Sequence, residues 1–144
     1  AVGSELDLGN GVTVRTAMLQ HPGGCVGYRI EWAGRAMVYA TDTAYGDPST
    51  DLALRALCHG AGLLIYDAMF TDDEFASRRA WGHSTWREGV RLADQCGVRQ
   101  LVLFHHAPSR DDKGVASLVA EAAAVRPRTI AAREGLELTV HRSG

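Results

Sequence analysis

Four side chains that can bind metal or move protons each follow an apolar run in this chain: His21, Asp42, Asp67 and His105. A fifth, His83, sits in the stretch Trp81-Gly82-His83-Ser84-Thr85-Trp86 at the mouth of a helix. In layered α/β architectures, strand ends converge and ligands gather there. Any one histidine or aspartate at a strand end more often satisfies backbone groups or caps a helix. As a set they describe a metal-assisted hydrolytic site. A carboxylate of the Asp42 kind can bridge two divalent ions, and neutral imidazoles such as His21 and His105 complete the shells. His83 is better suited to protonating a leaving oxygen, with Asp67 orienting and charging its ring. No His-x-His and no Asp-His dipeptide occurs in the 144 residues, so a two-metal site is only half supplied.

The elements that must position these groups alternate between strand and helix signals. Val12 to Leu19 alternates as a half-buried strand would, and His21-Pro22-Gly23-Gly24 breaks it. Val26 to Trp32 and Ala36 to Thr41 form a hairpin around Ala33-Gly34-Arg35, which delivers Asp42. Pro48 opens an amphipathic helix that ends at Gly60 and Gly62. Leu63-Leu64-Ile65-Tyr66 and Leu101-Val102-Leu103-Phe104 are continuous apolar runs, typical of strands buried on both faces, and they lead into Asp67 and His105-His106. Thr85-Trp86-Arg87-Glu88 fits a capping box for a helix to Gly97. An Ala-rich helix is expected from about Val115 to Val125, followed by a terminal strand over Leu136 to Val140.

Composition bounds the rest. At 46% hydrophobic residues, 1–144 is expected to fold as one domain, provided its edges are covered. Fifteen basic against 17 acidic residues give a formal charge of -2, which supplies no extended field for nucleic acid. The local clusters Arg78-Arg79 and Arg87 to Arg91 read as solvated faces. Cys25, Cys58 and Cys96 are odd in number and widely spaced, which fits a reducing, cytoplasmic setting. No apolar run approaches the roughly 20 residues of a membrane span. Gly82-His83-Ser84-Thr85-Trp86 begins like a nucleophile elbow, but Trp86 replaces the final glycine.

Five motifs in order carry a resemblance across Val12 to Asp112: His21 before Gly27-Tyr28-Arg29, Thr41-Asp42-Thr43, Leu64-Ile65-Tyr66-Asp67-Ala68, Gly82-His83-Ser84-Thr85, and Leu101 to His106. The chain resembles the C-terminal half of a metallo-β-lactamase-fold hydrolase of the ribonuclease Z and phosphodiesterase branch. The resemblance implies an α+β fold of αββα type, present here as one half of the sandwich, a single sheet with helices on its outer face. It implies two zinc ions, with manganese or iron as alternatives, of which His21 and His105 are terminal ligands and Asp42 the bridge. His83 and Asp67 match the pair that assists leaving-group departure, while the role of His106 stays open. The H-x-H-x-D-H loop that supplies most ligands in the family would lie N-terminal to this chain. A small-molecule or phosphodiester substrate is expected, with a homodimer or a complementing N-terminal half covering the second sheet face. The alternative is a catalytically silent module that keeps the fold for binding or assembly.

Overall fold

The computed structural model describes residues 3–142 and contains one seven-stranded sheet in the order β1-β2-β3-β4-β5-β6-β7. Strands β1 (Glu5–Asp7), β2 (Val12–Leu19), β3 (Cys25–Trp32) and β4 (Arg35–Ala40) pair antiparallel. From β4 onward the pairing is parallel, through β5 (Leu63–Asp67), β6 (Gln100–Phe104) and β7 (Thr129–Ala131). Helices α1 (Pro48–Cys58), α3 (Trp86–Gln95) and α4 (Asp112–Val125) make the three parallel crossovers, with a short α2 (Asp72–Ala76) and a 3-10 turn (Arg79–Trp81) before α3.

This strand order decides how the layers lie. Parallel crossovers are right-handed, and each new strand here adds to the same edge, so successive helices fall on one face of the sheet. The core lies beneath them: Leu19, Val38, Ala40, Leu64, Tyr66, Leu101 and Leu103 from the strands meet Leu54, Leu57, Val90, Ala93, Leu118 and Ala122 from the helices. Helix α3 can approach β5 closely because it carries Gly89; a Cβ there would stand 2.9 Å from the Tyr66 ring. The opposite face keeps Met18, Tyr28, Ile30, Trp32, Tyr39 and Phe104 exposed, with Trp32 at 55%. In register, Tyr28 lies beside Tyr39 and Ile30 beside Met37, so these side chains form one patch rather than scattered residues. A single mixed sheet with helices on one face is the α+β arrangement expected.

Three local expectations are corrected. Leu136 to Val140 forms no strand; the edge position is taken by β7, which pairs Thr129 and Ile130 with Leu101 and Val102. A three-residue strand directly after Pro127 is too short for a periodic signal, whereas the alternating half-buried Leu136, Leu138 and Val140 mimic one without pairing. Helix α4 starts three residues earlier than expected, because the Asp111 side chain accepts from the Gly114 N–H and caps it. At Thr85 only half a capping box forms: Thr85 accepts from the Glu88 N–H, but the Glu88 carboxylate turns to Arg91. The full box lies instead at Thr71 and Glu74, opening α2 within what reads as an acidic loop.

Candidate functional site

Parallel strands β4, β5 and β6 end at the same sheet edge, and the β2–β3 turn lies there too because β2 and β3 run antiparallel beside β4. That topology gathers all five candidate residues. His83 Nδ1 lies 3.0 Å from Asp67 Oδ2, the contact expected of an oriented acid. His105 Nε2 lies 3.3 Å from Asp42 Oδ1, and its Nδ1 lies 3.4 Å from Asp67 Oδ2. The His83 and His105 rings stack at 4.9 Å, and His21 meets His83 edge-on at 5.6 Å. Gly82 makes the His21 approach possible, since it has φ +87° and a Cβ would stand 2.5 Å from His21 Cδ2.

Asp67 organises the cluster. Its side chain is wholly buried and accepts from the backbone N–H groups of Asp42 at 3.0 Å, Met69 at 3.1 Å and Ser84 at 3.0 Å. Burial alone would raise its pKa, but His105, His83 and the Ser84 and Met69 N–H groups outweigh that and hold the carboxyl below its ordinary value. An ionised Asp67 therefore faces two imidazoles, not one. Sequence reading paired it with His83 alone, because only the three-dimensional order puts β6 beside β5. Asp67 raises the His105 pKa, against partial burial, and the charge of Asp42 adds to it. At 3.4 Å, the His105 Nδ1 alignment falls short of a geometric hydrogen bond.

Hydrogen-bond partners also fix which nitrogens are available. A carbonyl can only accept, so the 2.7 Å contact of His21 Nδ1 with the Pro22 oxygen puts the proton on Nδ1 and frees Nε2 as a ligand atom. The same logic at Asp67 puts a proton on His83 Nδ1 and leaves Nε2 unengaged by Asp67. Ligand atoms within 4.8 Å of one another form two sets: His21, Asp42 and His83, and Asp67, His83 and His105. Oxygen and imidazole donors drawn from four separate segments suit a divalent transition ion, so the residues fit the metal that the fold implies. Asp42 is common to His21 and His105, as a bridging carboxylate must be.

Two of these residues carry backbone strain. Asp42 has φ 55° and His105 φ 57°, both in the left-handed region that non-glycine residues seldom adopt. The Asp42 conformation is pinned by its N–H bond to Asp67. Because both glycine and alanine delete the side chain, Asp42→Gly is expected to be more stable than Asp42→Ala by about 1 kcal/mol in the metal-free chain. Chemical denaturation of the two variants measures this; equal midpoints would mean the backbone relaxes elsewhere.

Neighbouring residues have plainer duties. Ser84 is wholly buried, its Oγ 3.0 Å from the Tyr66 hydroxyl, which removes it as a nucleophile. His106 belongs to neither set: neither ring nitrogen has a hydrogen-bond partner among the described residues, and burial, with Arg110 nearby, lowers its pKa. Arg110 donates to Glu74 at 2.7 Å and to the Met69 carbonyl, tying the loop after β6 to the loop after β5. The cysteines are free, and Cys58 and Cys96 are buried. No helix among the described residues is long and apolar enough to cross a membrane.

Comparison with known proteins places this geometry. Residues 2–106 match the family model of the beta-lactamase superfamily domain. Ribonuclease Z of Gemmatimonas aurantiaca is 38% identical over 105 residues, covering 73% of this chain and 32% of that protein. Ribonuclease Z of a Synechococcus strain is 35% identical over 116 residues, covering 78% and 35%. The chain thus spans about a third of the length of the curated relatives it matches. Among solved structures, the metallo-beta-lactamase fold protein YhfI of Bacillus subtilis superposes with a TM-score of 0.75 at 25% identity, over 94% of this chain and 52% of that one. Human tRNase Z, short form, superposes with a TM-score of 0.73 at 20% identity, over 95% and 45%. The chain belongs to the beta-lactamase superfamily and has the metallo-β-lactamase fold, with ribonuclease Z proteins among the relatives it is similar to.

Proposed function

We propose that this chain is the C-terminal part of a metal-dependent phosphodiester hydrolase, with His21, Asp42 and His105 as metal ligands and His83 with Asp67 as the leaving-group acid. The observation that carries the reading is the wholly buried Asp67 carboxylate set between His83 and His105 beside Asp42. A bound pair of zinc ions would supply a hydroxide nucleophile and neutralise charge developing on the phosphoryl oxygens. The protein residues do the remaining work. Asp67 keeps the Nδ1 proton of His83 in place, so that a proton on Nε2 can pass to the departing alkoxide. RNA is the proposed substrate, by likeness to relatives named ribonuclease Z. The charge of -2 argued against it, yet a single scissile phosphodiester held at a metal centre needs no extended basic surface.

Three ligands divided between two ions hold neither tightly, so a segment carrying H-x-H-x-D-H is proposed to complete the set. Elemental analysis after chelation and zinc repletion tests this. The chain alone is expected to retain little zinc and to hydrolyse phosphodiesters at background rate. Supplying the segment, fused or in trans, should bring two metals and activity, both lost on Asp42→Ala. Stoichiometric zinc on the chain alone would overturn this division and point to the two sets that include His83 as sufficient.

The same segment is proposed to cover the bare sheet face, with a second copy of this chain covering it when the segment is missing. Apolar burial of roughly 25 cal/mol per Å² favours covering any patch beyond a few hundred Å². Light scattering of the chain alone is expected to show a dimer or larger species. Replacing Tyr28 and Trp32 by polar residues should shift it toward monomer. A wild-type monomer at high concentration that binds no hydrophobic dye would remove this proposal.

A further inference from the structure

His83 has an aromatic neighbourhood that metal binding does not require. The Phe70 ring meets it edge-on at 5.9 Å, and Trp81 in turn meets Phe70 edge-on at 6.2 Å. Phe70 is buried and held by backbone, its N–H bonded to the Ser84 carbonyl at 3.0 Å and its segment bridged to Thr85. Trp81 is 59% exposed and does not belong to the bare sheet face. It ends the 3-10 turn two residues before His83, and the left-handed Gly82 between them fixes the reversal. A large exposed indole seated on a rigid support, one ring removed from the group that protonates the leaving oxygen, is a stacking surface for something flat.

The cations around it are not equivalent. Arg87 pairs with Asp72, Arg91 with Glu88 and Arg110 with Glu74. Arg78 has no carboxylate partner among the described residues; its guanidinium lies 5.6 Å from the centres of both the Phe70 and Trp81 rings. A guanidinium held by ring faces keeps its N–H donors for an incoming anion, and a phosphate matches its fork. The basic run that reads as a solvated face in sequence therefore holds two arginines without a carboxylate partner among the described residues; Arg79 lies over the Phe75 ring at 5.0 Å, and Arg78 is the one that lies against the exposed indole.

The geometry points to a subsite for the leaving nucleotide, in which a nucleobase stacks on Trp81 and a phosphate of the same nucleotide takes Arg78. This rests on the reading of His83 as the leaving-group acid, since that is what makes the adjoining surface the leaving-group side. Within the RNA proposed above, it assigns the base and a phosphate of the leaving nucleotide to two named side chains of this chain. Stacking on an aromatic residue tolerates any base, so the subsite selects for the presence of a base and not its identity.

The test is binding to the whole chain in chelator, without metal or turnover, so failure of the acid role of His83 would leave the result untouched. Adenosine monophosphate and ribose phosphate are titrated while the tryptophan indole N–H resonances are followed, that of Trp81 being assigned by its loss in Trp81→Phe. Adenosine monophosphate is expected to shift the Trp81 resonance and to bind at least about fivefold more tightly than ribose phosphate. Trp81→Ala should abolish that difference, while Trp81→Phe retains most of it. Arg78→Gln should weaken both ligands alike, about two- to fivefold. Equal affinity of the two ligands for the wild type, no binding of either, or a shift confined to Trp32 would overturn the proposal.

Discussion

Asp67→Ala is expected to destabilise the metal-free chain by about 3–5 kcal/mol, a large share of the roughly 5–15 kcal/mol that holds a domain together. The substitution leaves the N–H groups of Asp42, Met69 and Ser84 facing a void with no acceptor, and takes the counter-charge from His83 and His105. Asp67→Asn is expected to be costly too. One carbonyl oxygen can replace Oδ1 for Met69 and Ser84, but the amide NH2 then meets the Asp42 N–H donor to donor. Because the native Asp67 pKa is lowered, its contribution is present above the unfolded carboxyl value near 3.9 and is lost as pH falls through the native value. The raised pKa of His105 acts in the opposite direction. Its contribution is complete below about 6.5 and disappears as pH rises through the native value. Wild-type stability should therefore decline both in acid and above neutrality, and Asp67→Ala should flatten both limbs. Urea denaturation across pH measures this. A wild-type profile unchanged by the substitution would mean that Asp67 is not the electrostatic centre of the cluster.

How far the residues announced this arrangement depends on the range of the interaction. The apolar runs at Leu63 and Leu101 marked two strands leading into Asp67 and His105, since so short an apolar segment is too short for a helix. The hairpin around Ala33-Gly34 was equally plain, because only Ala33-Gly34-Arg35 separates two β-rich runs; that Ala33 as well as Gly34 takes a positive φ there was not readable. Lateral order was not readable. That Asp67 serves His105 as well as His83 depends on β6 lying next to β5, a fact of pairing that no local pattern encodes. The left-handed backbone at Asp42 and His105 was hidden for another reason: local propensity favours glycine or asparagine there, and an aspartate and a histidine hold it against that preference. The end of the chain misled by its alternation, since Leu136, Leu138 and Val140 are half-buried without finding a strand partner.

His83→Ala, in protein supplied with the proposed H-x-H-x-D-H segment, is expected to lower kcat on an RNA phosphodiester by about 10²- to 10⁴-fold. The size of the loss should depend on the leaving group, which separates an acid from a ligand. An alkoxide leaving a ribose is strongly basic and needs its proton in the transition state, whereas nitrophenolate departs without one. With a bis(nitrophenyl) phosphate the same variant should therefore lose little, about tenfold at most. Asp67→Asn should show the same selectivity in weaker form, because it spoils the orientation and charge of the imidazole without removing it. His105→Ala serves as the contrast. A metal ligand supports attack on both substrates, so its loss should depress both equally and lower the zinc content, which His83→Ala should leave unchanged. The two triplets that include His83 make the distinction necessary, since a ring nitrogen of His83 lies within 4.8 Å of ligand atoms of His21 and Asp42 in one set and of Asp67 and His105 in the other. Should His83→Ala lower zinc content and slow both substrates alike, His83 is a ligand, and the proton for the leaving oxygen comes from elsewhere.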